Sequence, residues 1–241
     1  MSKIILYESD KLFTGKVLKR PSKNIKSPYV ADVLVNDEEE ALAHSPSLGC
    51  CGLADTDANV LMTENKNKNT KTKYKIEFTI FEEHHNNQYN KQIIGINPKI
   101  AEKVGYSAIS KNCIKSLQNI KEMKTEQVFE NSRFDVWGID ENNNEFILEI
   151  KTVPLADYVD MTKKDRLKNI DYINTRNVDQ KISYFPDGYR KNKNEPVSPR
   201  ALKHIKELEK IKCERNIRCI LLFIVQRIDV EVFQTSNLDK I

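Results

Sequence analysis

Residues 132–153 read SRFDVWGIDENNNEFILEIKTV, and this stretch has the pattern of a β-hairpin. Two runs with alternating apolar residues flank the polar segment 140–144, which is typical of two strands joined by a turn. Asp135 and Glu149 each lie seven positions from the middle of that turn, at Asn142. In an antiparallel register they therefore face each other, with Cβ atoms roughly 5 Å apart on one side of the sheet.

The predicted hairpin brings two carboxylates together with an ammonium group. Lys151 lies two positions beyond Glu149 and so shares its side of the sheet. Carboxylates this close repel each other unless a positive charge lies between them, and a divalent cation supplies one. One interpretation of the pattern is a catalytic site in which Asp135 and Glu149 bind Mg²⁺ or Mn²⁺. Lys151 would position the attacking water or stabilise the transition state.

A solvent-facing hairpin with ordinary surface charges is the alternative. The Asp…Glu-x-Lys pattern is short, and a slip of one residue in the register would destroy it. Taken alone, the pattern favours this surface interpretation. Against it, Phe146, Ile147 and Ile150 indicate a strand that is buried on at least one side. The lysine and the basic surroundings favour an anionic substrate over a glycosidase with paired carboxylates.

The N-terminal part, residues 1–95, has the pattern of short strands joined by polar turns. Segments 29–35 and 74–81 alternate as strands do, and the polar tract 65–73 predicts a loop. Several short strands without a long amphipathic helix favour a small barrel, and an OB-like β-barrel is one candidate.

The C-terminal part, residues 96–241, alternates helices and strands as an α/β domain with a mixed central sheet does. Segment 98–117 predicts two helices broken near Gly105, and a further helix is expected near residues 159–173. Segment 219–225 is an unbroken apolar run, which predicts a central strand covered on both sides, and segment 229–233 predicts the next strand.

Another helix is predicted to begin at Ser198 and Pro199, which suit an N-cap and a first-turn proline. Its periodicity predicts an apolar side formed by Ala201, Leu202, Ile205, Leu208 and Ile211. It also predicts a basic side formed by Arg200, Lys203, Lys206 and Lys210. His204, on the same helix, is expected to be a surface residue.

Composition and charge exclude several classes of protein. The chain has 241 residues, of which 39% are hydrophobic and 31% charged, and no apolar run approaches the length that spans a bilayer. Its first residues do not resemble a signal peptide, so we expect an intracellular protein without a membrane partner. The five cysteines are odd in number and lack zinc-ligand spacing, which favours free thiols.

The net charge of +4 is mildly basic, but the basic residues are clustered. One cluster contains Lys16, Lys19, Arg20, Lys23 and Lys26, and a second contains Lys66, Lys68, Lys71, Lys73 and Lys75. Such clusters can follow a phosphate backbone, although a solvated loop is an equally good interpretation of these residues alone.

Several strings in this sequence occur in the order typical of one protein family. In the C-terminal part they are SRFDV at 132–136, EIKTV at 149–153, FPD at 185–187, KHIKEL at 203–208 and LLFIVQRID at 221–229. In the N-terminal part they are ADV at 31–33, and HSP at 44–46 followed by Gly49. With these strings, the sequence resembles the sugar fermentation stimulation protein (SfsA) family over nearly its whole length.

The resemblance implies an OB-like barrel domain followed by a PD-(D/E)xK nuclease-like domain in a DNA-binding protein. It implies metal ligation by Asp135 and Glu149 and a catalytic role for Lys151. Glu102, in the helix before the hairpin, would be the extra acid that such folds often carry.

The sequence departs from the family pattern in two places. Ser45, Ser47 and Leu48 replace a Cys, an Asn and a Thr of the family's N-terminal turn. Residues 156–195 are predicted to be an insertion, which would either extend the surface that contacts DNA or have no part in DNA binding.

We therefore expect a sequence-independent DNA-binding protein with a nuclease-like metal site. Its candidate DNA contacts are Lys19, Arg20, Lys23, Lys26, Arg200 and Lys203. An active Mg²⁺-dependent DNA endo- or exonuclease is the first alternative, and a transcriptional or metabolic regulator without catalysis is the second. The choice between DNA and RNA, the strand preference and the oligomeric state, a dimer included, stay open.

Overall fold

The structure is a computed structural model of the chain. It describes residues 3–47, 52–85, 88–162, 180–186 and 195–238, together with Asp165 and Lys168. Contacts divide the chain into two compact units, and neither is continuous in sequence. The first, the ring unit, comprises Ser9–Pro98, Val153–Tyr189 and Val225–Ile241. The second, the hairpin unit, comprises Met1–Glu8, Lys99–Thr152 and Arg190–Ile224.

The ring unit contains a six-stranded sheet. Its strands are β1 (Phe13–Lys19), β2 (Val30–Val35), β3 (Glu39–His44), β4 (Asn59–Glu64), β5 (Tyr74–His85) and β6 (Gln88–Gly95). They are hydrogen-bonded in the order β3-β2-β1-β4-β5-β6, and a parallel pairing between β3 and β5 closes the first five into a ring. Alternate residues of these strands, including Val17, Val33, Val60, Met62 and Ile76, are fully buried inside it.

A smaller sheet also belongs to the ring unit. It is formed by β10 (Ala156–Asp157), β11 (Ile182–Phe185) and β13 (Val232–Thr235), with β11 and β13 parallel. The strand predicted at 229–233 therefore begins three residues late. The reason is that the Asp229 carboxylate accepts hydrogen bonds from Arg227 and Lys181, which holds this segment in a bend.

Lys181 lies in a buried ionic cluster of the ring unit. Its ammonium group pairs with the carboxylates of Glu83 and Asp229 and lies over the Phe81 ring. Burial raises the pKa of Asp229, but hydrogen bonds and charge from Arg227 and Lys181 outweigh it and lower that pKa to about 2. The predicted helix near residues 159–173 falls largely outside the described residues, and the insertion at 156–195 stays a prediction.

The hairpin unit packs two helices and a four-stranded sheet. The helices are α1 (Pro98–Ser110) and α2 (Pro199–Arg215). The strands are β7 (Ile120–Phe129), β8 (Ser132–Asp140), β9 (Glu145–Val153) and β12 (Arg218–Val225), in the order β12-β9-β8-β7. No helix among the described residues is long and apolar enough to cross a membrane.

The predicted register of the hairpin is confirmed. Val136 pairs with Leu148 and Ile139 pairs with Glu145, so the hairpin is centred on Asn142. The Asp140 carboxylate accepts hydrogen bonds from the backbone N–H groups of Asn142 and Asn144, which fixes the turn.

The segment before the hairpin differs from its prediction. A single helix, α1, replaces the two helices expected, and residues 111–119 form turns. Gly105 does not break α1. A Cβ atom there would lie 2.7 Å from Cδ1 of Ile150, so the glycine allows close packing of helix on sheet. Strand β7 was not anticipated, since its residues are mostly exposed and lack a clear alternation.

Strand β12 is also placed differently from its prediction. It forms the end of the four-stranded sheet in the described part of the chain, where β9 is its one neighbour. Its apolar run is explained by packing on both faces. Ile220, Leu222 and Ile224 join one hydrophobic cluster, and Cys219 and Leu221 join another.

We expect Gly138→Ala to destabilise the protein by about 1–3 kcal/mol. Gly138 is buried on β8, and a Cβ atom there would lie 2.4 Å from Cζ of Phe146 and 2.8 Å from the backbone oxygen of Glu122. Chemical unfolding followed by circular dichroism measures the loss. Gly15→Ala is the control: its added Cβ would meet the flexible end of Met62, so the loss should be smaller. Equal losses would contradict this account.

Candidate metal centre

The hairpin brings the two predicted carboxylates to one side of the sheet. Asp135 lies on β8 and Glu149 on β9, one step beyond the Val136–Leu148 pair in the same register. Asp135 Oδ2 accepts a hydrogen bond of 2.7 Å from the backbone N–H of Ile150. The orientation of the Asp135 side chain is thereby tied to the neighbouring strand.

Glu149 is the most constrained of the predicted site residues. Its side chain is only 5% exposed. Its Oε1 atom accepts from Lys151 Nζ at 2.5 Å and lies 2.5 Å from His204 Nδ1. Its Oε2 atom is buried and has no hydrogen-bond partner among the residues that the structure describes. A buried carboxylate oxygen left this way carries a desolvation cost, which a bound cation would offset.

The electrostatics of the site favour an added positive charge. Burial, and secondly the nearby charge of Glu149, raise the pKa of Asp135 to about 6. Burial and the charges of Glu102, Asp135, Glu126 and Glu149 raise the pKa of Tyr106. The Tyr106 hydroxyl donates to the Asp135 backbone oxygen at 3.3 Å. Acidic groups therefore dominate the potential around Asp135.

Glu102 lies close enough to act on this site through its charge. It projects from α1, and its carboxylate is 2.7 Å from Lys99 Nζ, which also lies 3.4 Å from Glu126. Within the described ranges, no three His, Cys, Asp or Glu side chains are gathered closely enough to hold a metal ion. Ligation by Asp135, Glu149 and Glu102 therefore stays a prediction.

The carboxylates of Asp135 and Glu149 are nevertheless suitable ligands for a hard divalent cation. Mg²⁺ is usually bound by one or two carboxylates, with waters and substrate oxygens as its other ligands. The Asp135 carboxylate and the Oε2 atom of Glu149 are metal ligands of this kind. The repulsion between the two carboxylates would fall when a cation binds. Such a site needs no complete protein cage.

Comparison with known proteins identifies the family of the chain. The family model described as "Sugar fermentation stimulation protein RE domain" matches residues 99–240. The chain belongs to this family. It is 29% identical over 231 residues to the sugar fermentation stimulation protein homolog of Clostridium novyi, covering 95% of this chain and 81% of that protein. The homolog of Idiomarina loihiensis is 27% identical over 218 residues, with 88% and 76% covered.

A solved structure of the same family shares the fold. The structure of Pyrococcus furiosus SfsA in complex with Ca²⁺ superposes with a TM-score of 0.69. It covers 97% of this chain and 80% of that one, at 20% sequence identity. The predicted family is confirmed by the match to the family model, and the likeness to this structure bears on the fold alone.

His204 is the site residue that sequence reasoning missed. The expectation that it lies on the surface is wrong, because the side chain is only 7% exposed and contacts Glu149. The buried stripe of α2 is Ala201, His204, Leu208 and Ile211, whereas Ile205 is 38% exposed. The signal was available in the spacing, since positions 201, 204, 208 and 211 follow the helical period with His204 in the apolar series.

The predicted DNA contacts differ in their surroundings. The side chains of Lys19, Lys23, Lys26, Arg200 and Lys203 are exposed. Arg20 is instead engaged within its own unit: its guanidinium donates to the backbone oxygens of Pro28, Ala54 and Ser47. These hydrogen bonds give Arg20 a structural role in the ring unit. Contact with DNA stays a prediction for all six residues.

We expect Asp135→Asn to stabilise the metal-free protein at pH 8 by about 1–2 kcal/mol. The folded-state pKa of about 6 exceeds the unfolded value near 3.9, so wild-type stability falls as the pH rises through this interval. Partial exposure reduces the effect. Asparagine keeps an acceptor for Ile150 N–H and removes the charge. The measurement is chemical unfolding in EDTA at pH 8 and at pH 3.5, where the difference should vanish.

Asp140→Asn is the matched control for this substitution. Hydrogen bonds from Asn144 lower the pKa of Asp140, so replacing it should not stabilise the protein at pH 8. A wild-type protein more stable than Asp135→Asn at pH 8 in EDTA would contradict the repulsion inferred at Asp135.

Proposed function

We propose that this protein binds DNA without sequence specificity and carries a nuclease-like divalent-metal site in its hairpin unit. The observation that carries the proposal is the buried Glu149. Its Oε2 has no hydrogen-bond partner in the described part of the chain, and Asp135 lies beside it on the neighbouring strand. A folded protein retains such a pair of carboxylates at a cost in stability. A function that uses both accounts for that cost.

Asp135 and Glu149 would hold Mg²⁺ or Mn²⁺, and Glu102 is the candidate third acid. The bound ion would supply Lewis acidity and a water of lowered pKa next to a phosphodiester. That the Pyrococcus furiosus family member was solved in complex with Ca²⁺ supports the binding of a divalent cation by this chain. The order of α1, the β7–β9 meander and α2 is consistent with a PD-(D/E)xK nuclease-like fold.

The ring unit would contribute a second DNA-binding surface. Its five-stranded ring, in which β3 and β5 are parallel, supports an OB-like barrel. Barrels of this type bind strands through basic grooves and aromatic stacking. Lys19, Lys23 and Lys26 lie within eight residues of one another in the sequence of this unit and are exposed. Their charges would contact phosphates, and such contacts carry no sequence information.

Cleavage of DNA is the second candidate function, and Lys151 favours it. Its ammonium group lies 2.5 Å from Glu149 Oε1 and is only 12% exposed. A cation in this position can orient a water molecule or stabilise the charge that develops on the scissile phosphate. A transcriptional or metabolic regulator without catalysis has no specific support among the described side chains.

Incubation with DNA separates these candidates. We expect purified protein to retard both single- and double-stranded DNA at low salt. If the site is catalytic, it should cleave with Mg²⁺ or Mn²⁺ and not in EDTA, and Asp135→Ala and Lys151→Ala should each lose at least about 100-fold in rate. Lys115→Ala, at an exposed lysine elsewhere in the hairpin unit, is the control. Intact but retarded DNA in every lane would leave binding without cleavage, and no retardation would refute the proposal.

The dependence of binding on salt tests the individual contacts. Each neutralised phosphate contributes about −0.9 to the slope of log K against log [salt] for duplex DNA. Lys23→Gln and Arg200→Gln should therefore each make the slope less steep by about one, while Lys115→Gln should leave it unchanged. Fluorescence anisotropy at several salt concentrations measures it. An unchanged slope in either variant removes that residue from the contact surface.

A further inference from the structure

We infer that His204 is a positioning residue that makes Glu149 a one-oxygen metal ligand and so favours small divalent cations over Ca²⁺. The inference rests on the proposed metal site and adds a selectivity to it. It starts from the unequal surroundings of the two oxygens of one buried carboxylate.

The position of His204 is fixed by its surroundings. The side chain projects from the buried stripe of α2, and its ring packs edge-on against Phe134 at 5.8 Å between centroids. Its Nδ1 atom lies 2.5 Å from Glu149 Oε1. A carboxylate oxygen only accepts, so Nδ1 carries the hydrogen in this bond. A packed ring with two side-chain torsions directs this donor more rigidly than a flexible side chain would.

Lys151 makes the same contact with less constraint. Its ammonium lies at the end of a four-carbon stem and has three rotatable donors. If Lys151 turned toward a substrate, Oε1 would lose that donor, and the carboxylate would be free to rotate. His204 still holds Oε1 in that event. The two donors thus have separate tasks, and only Lys151 is able to leave.

Holding Oε1 restricts how Glu149 binds a metal ion. With Oε1 engaged by two donors, Oε2 is the oxygen that lacks a partner within the described ranges. Ligation through one oxygen suits the octahedral shell of Mg²⁺, near 2.1 Å, whereas Ca²⁺ readily takes both oxygens of a carboxylate at longer distances. Replacing a residue that holds a metal ligand in this way commonly weakens metal affinity 10–100-fold.

Three variants at one position test the inference. His204→Leu removes the donor. His204→Asn keeps an N–H at the position of Nδ1, because both nitrogens are bonded to Cγ. His204→Gln is the matched control, since its N–H lies one bond farther from the backbone. Calorimetry gives the Kd of Mn²⁺ and of Ca²⁺ for each full-length protein, and thermal unfolding monitored by circular dichroism shows whether each variant is folded.

We expect His204→Leu and His204→Gln to weaken Mn²⁺ binding 10–100-fold and to lower the preference for Mn²⁺ over Ca²⁺ at least 5-fold. His204→Asn should stay within about 3-fold of wild type in both quantities. If His204→Leu does not fold, the contrast between Asn and Gln decides the question. A merely structural role would change stability in all variants and leave the ratio of the two Kd values constant.

The experiment distinguishes failure of the proposed metal site from failure of the inference about His204. If wild-type protein binds neither Mn²⁺ nor Ca²⁺, the proposed metal site is refuted and the inference falls with it. If wild type binds Mn²⁺ and the Leu and Gln variants show the same Kd ratio, the site stands and the role of His204 is refuted.

Discussion

The burial of the Glu149 carboxylate is the constraint on which the hairpin unit depends. A charged group that is 95% removed from solvent needs donors, and the fold supplies them from two directions. Lys151 comes from the same strand and His204 from α2. The position of α2 is in turn set by its Ser198 N-cap and by Leu208 and Ile211, which pack in a shared apolar cluster with Phe134. Helix packing and site geometry are thus coupled.

Asp135 differs from Glu149 in that its surroundings do not favour the charged form of its carboxyl group. Its backbone partner, Ile150 N–H, favours the charged form, but burial and the charge of Glu149 outweigh this and favour the neutral form. A chain selected for stability alone would carry an amide or an apolar residue at one of these positions. Keeping both acids concentrates negative potential at one end of the hairpin, where a cation and a phosphate are able to share it.

The hairpin could be predicted from sequence because its information is local. A central turn and period-two alternation fix the register, and Ser198 with Pro199 fix the start of α2. The contact between His204 and Glu149 joins residues 55 positions apart, and no local pattern specifies it. Strand β7 escaped prediction because its exposed position requires no apolar alternation. Gly105 was misread because its packing against Ile150 is a tertiary contact, which propensity does not contain.

The separation of Glu149 and His204 along the chain has a consequence for synthesis on the ribosome. The hairpin is translated first, and the helix that covers Glu149 follows 55 residues later. At roughly 5–20 residues per second, several seconds separate the synthesis of Glu149 from the synthesis of His204. During this interval the Glu149 carboxylate lacks the His204 side chain that contacts it in the folded protein. The proposed metal site would therefore be completed late in biosynthesis, and a message truncated before α2 would yield the hairpin without the helix that covers Glu149.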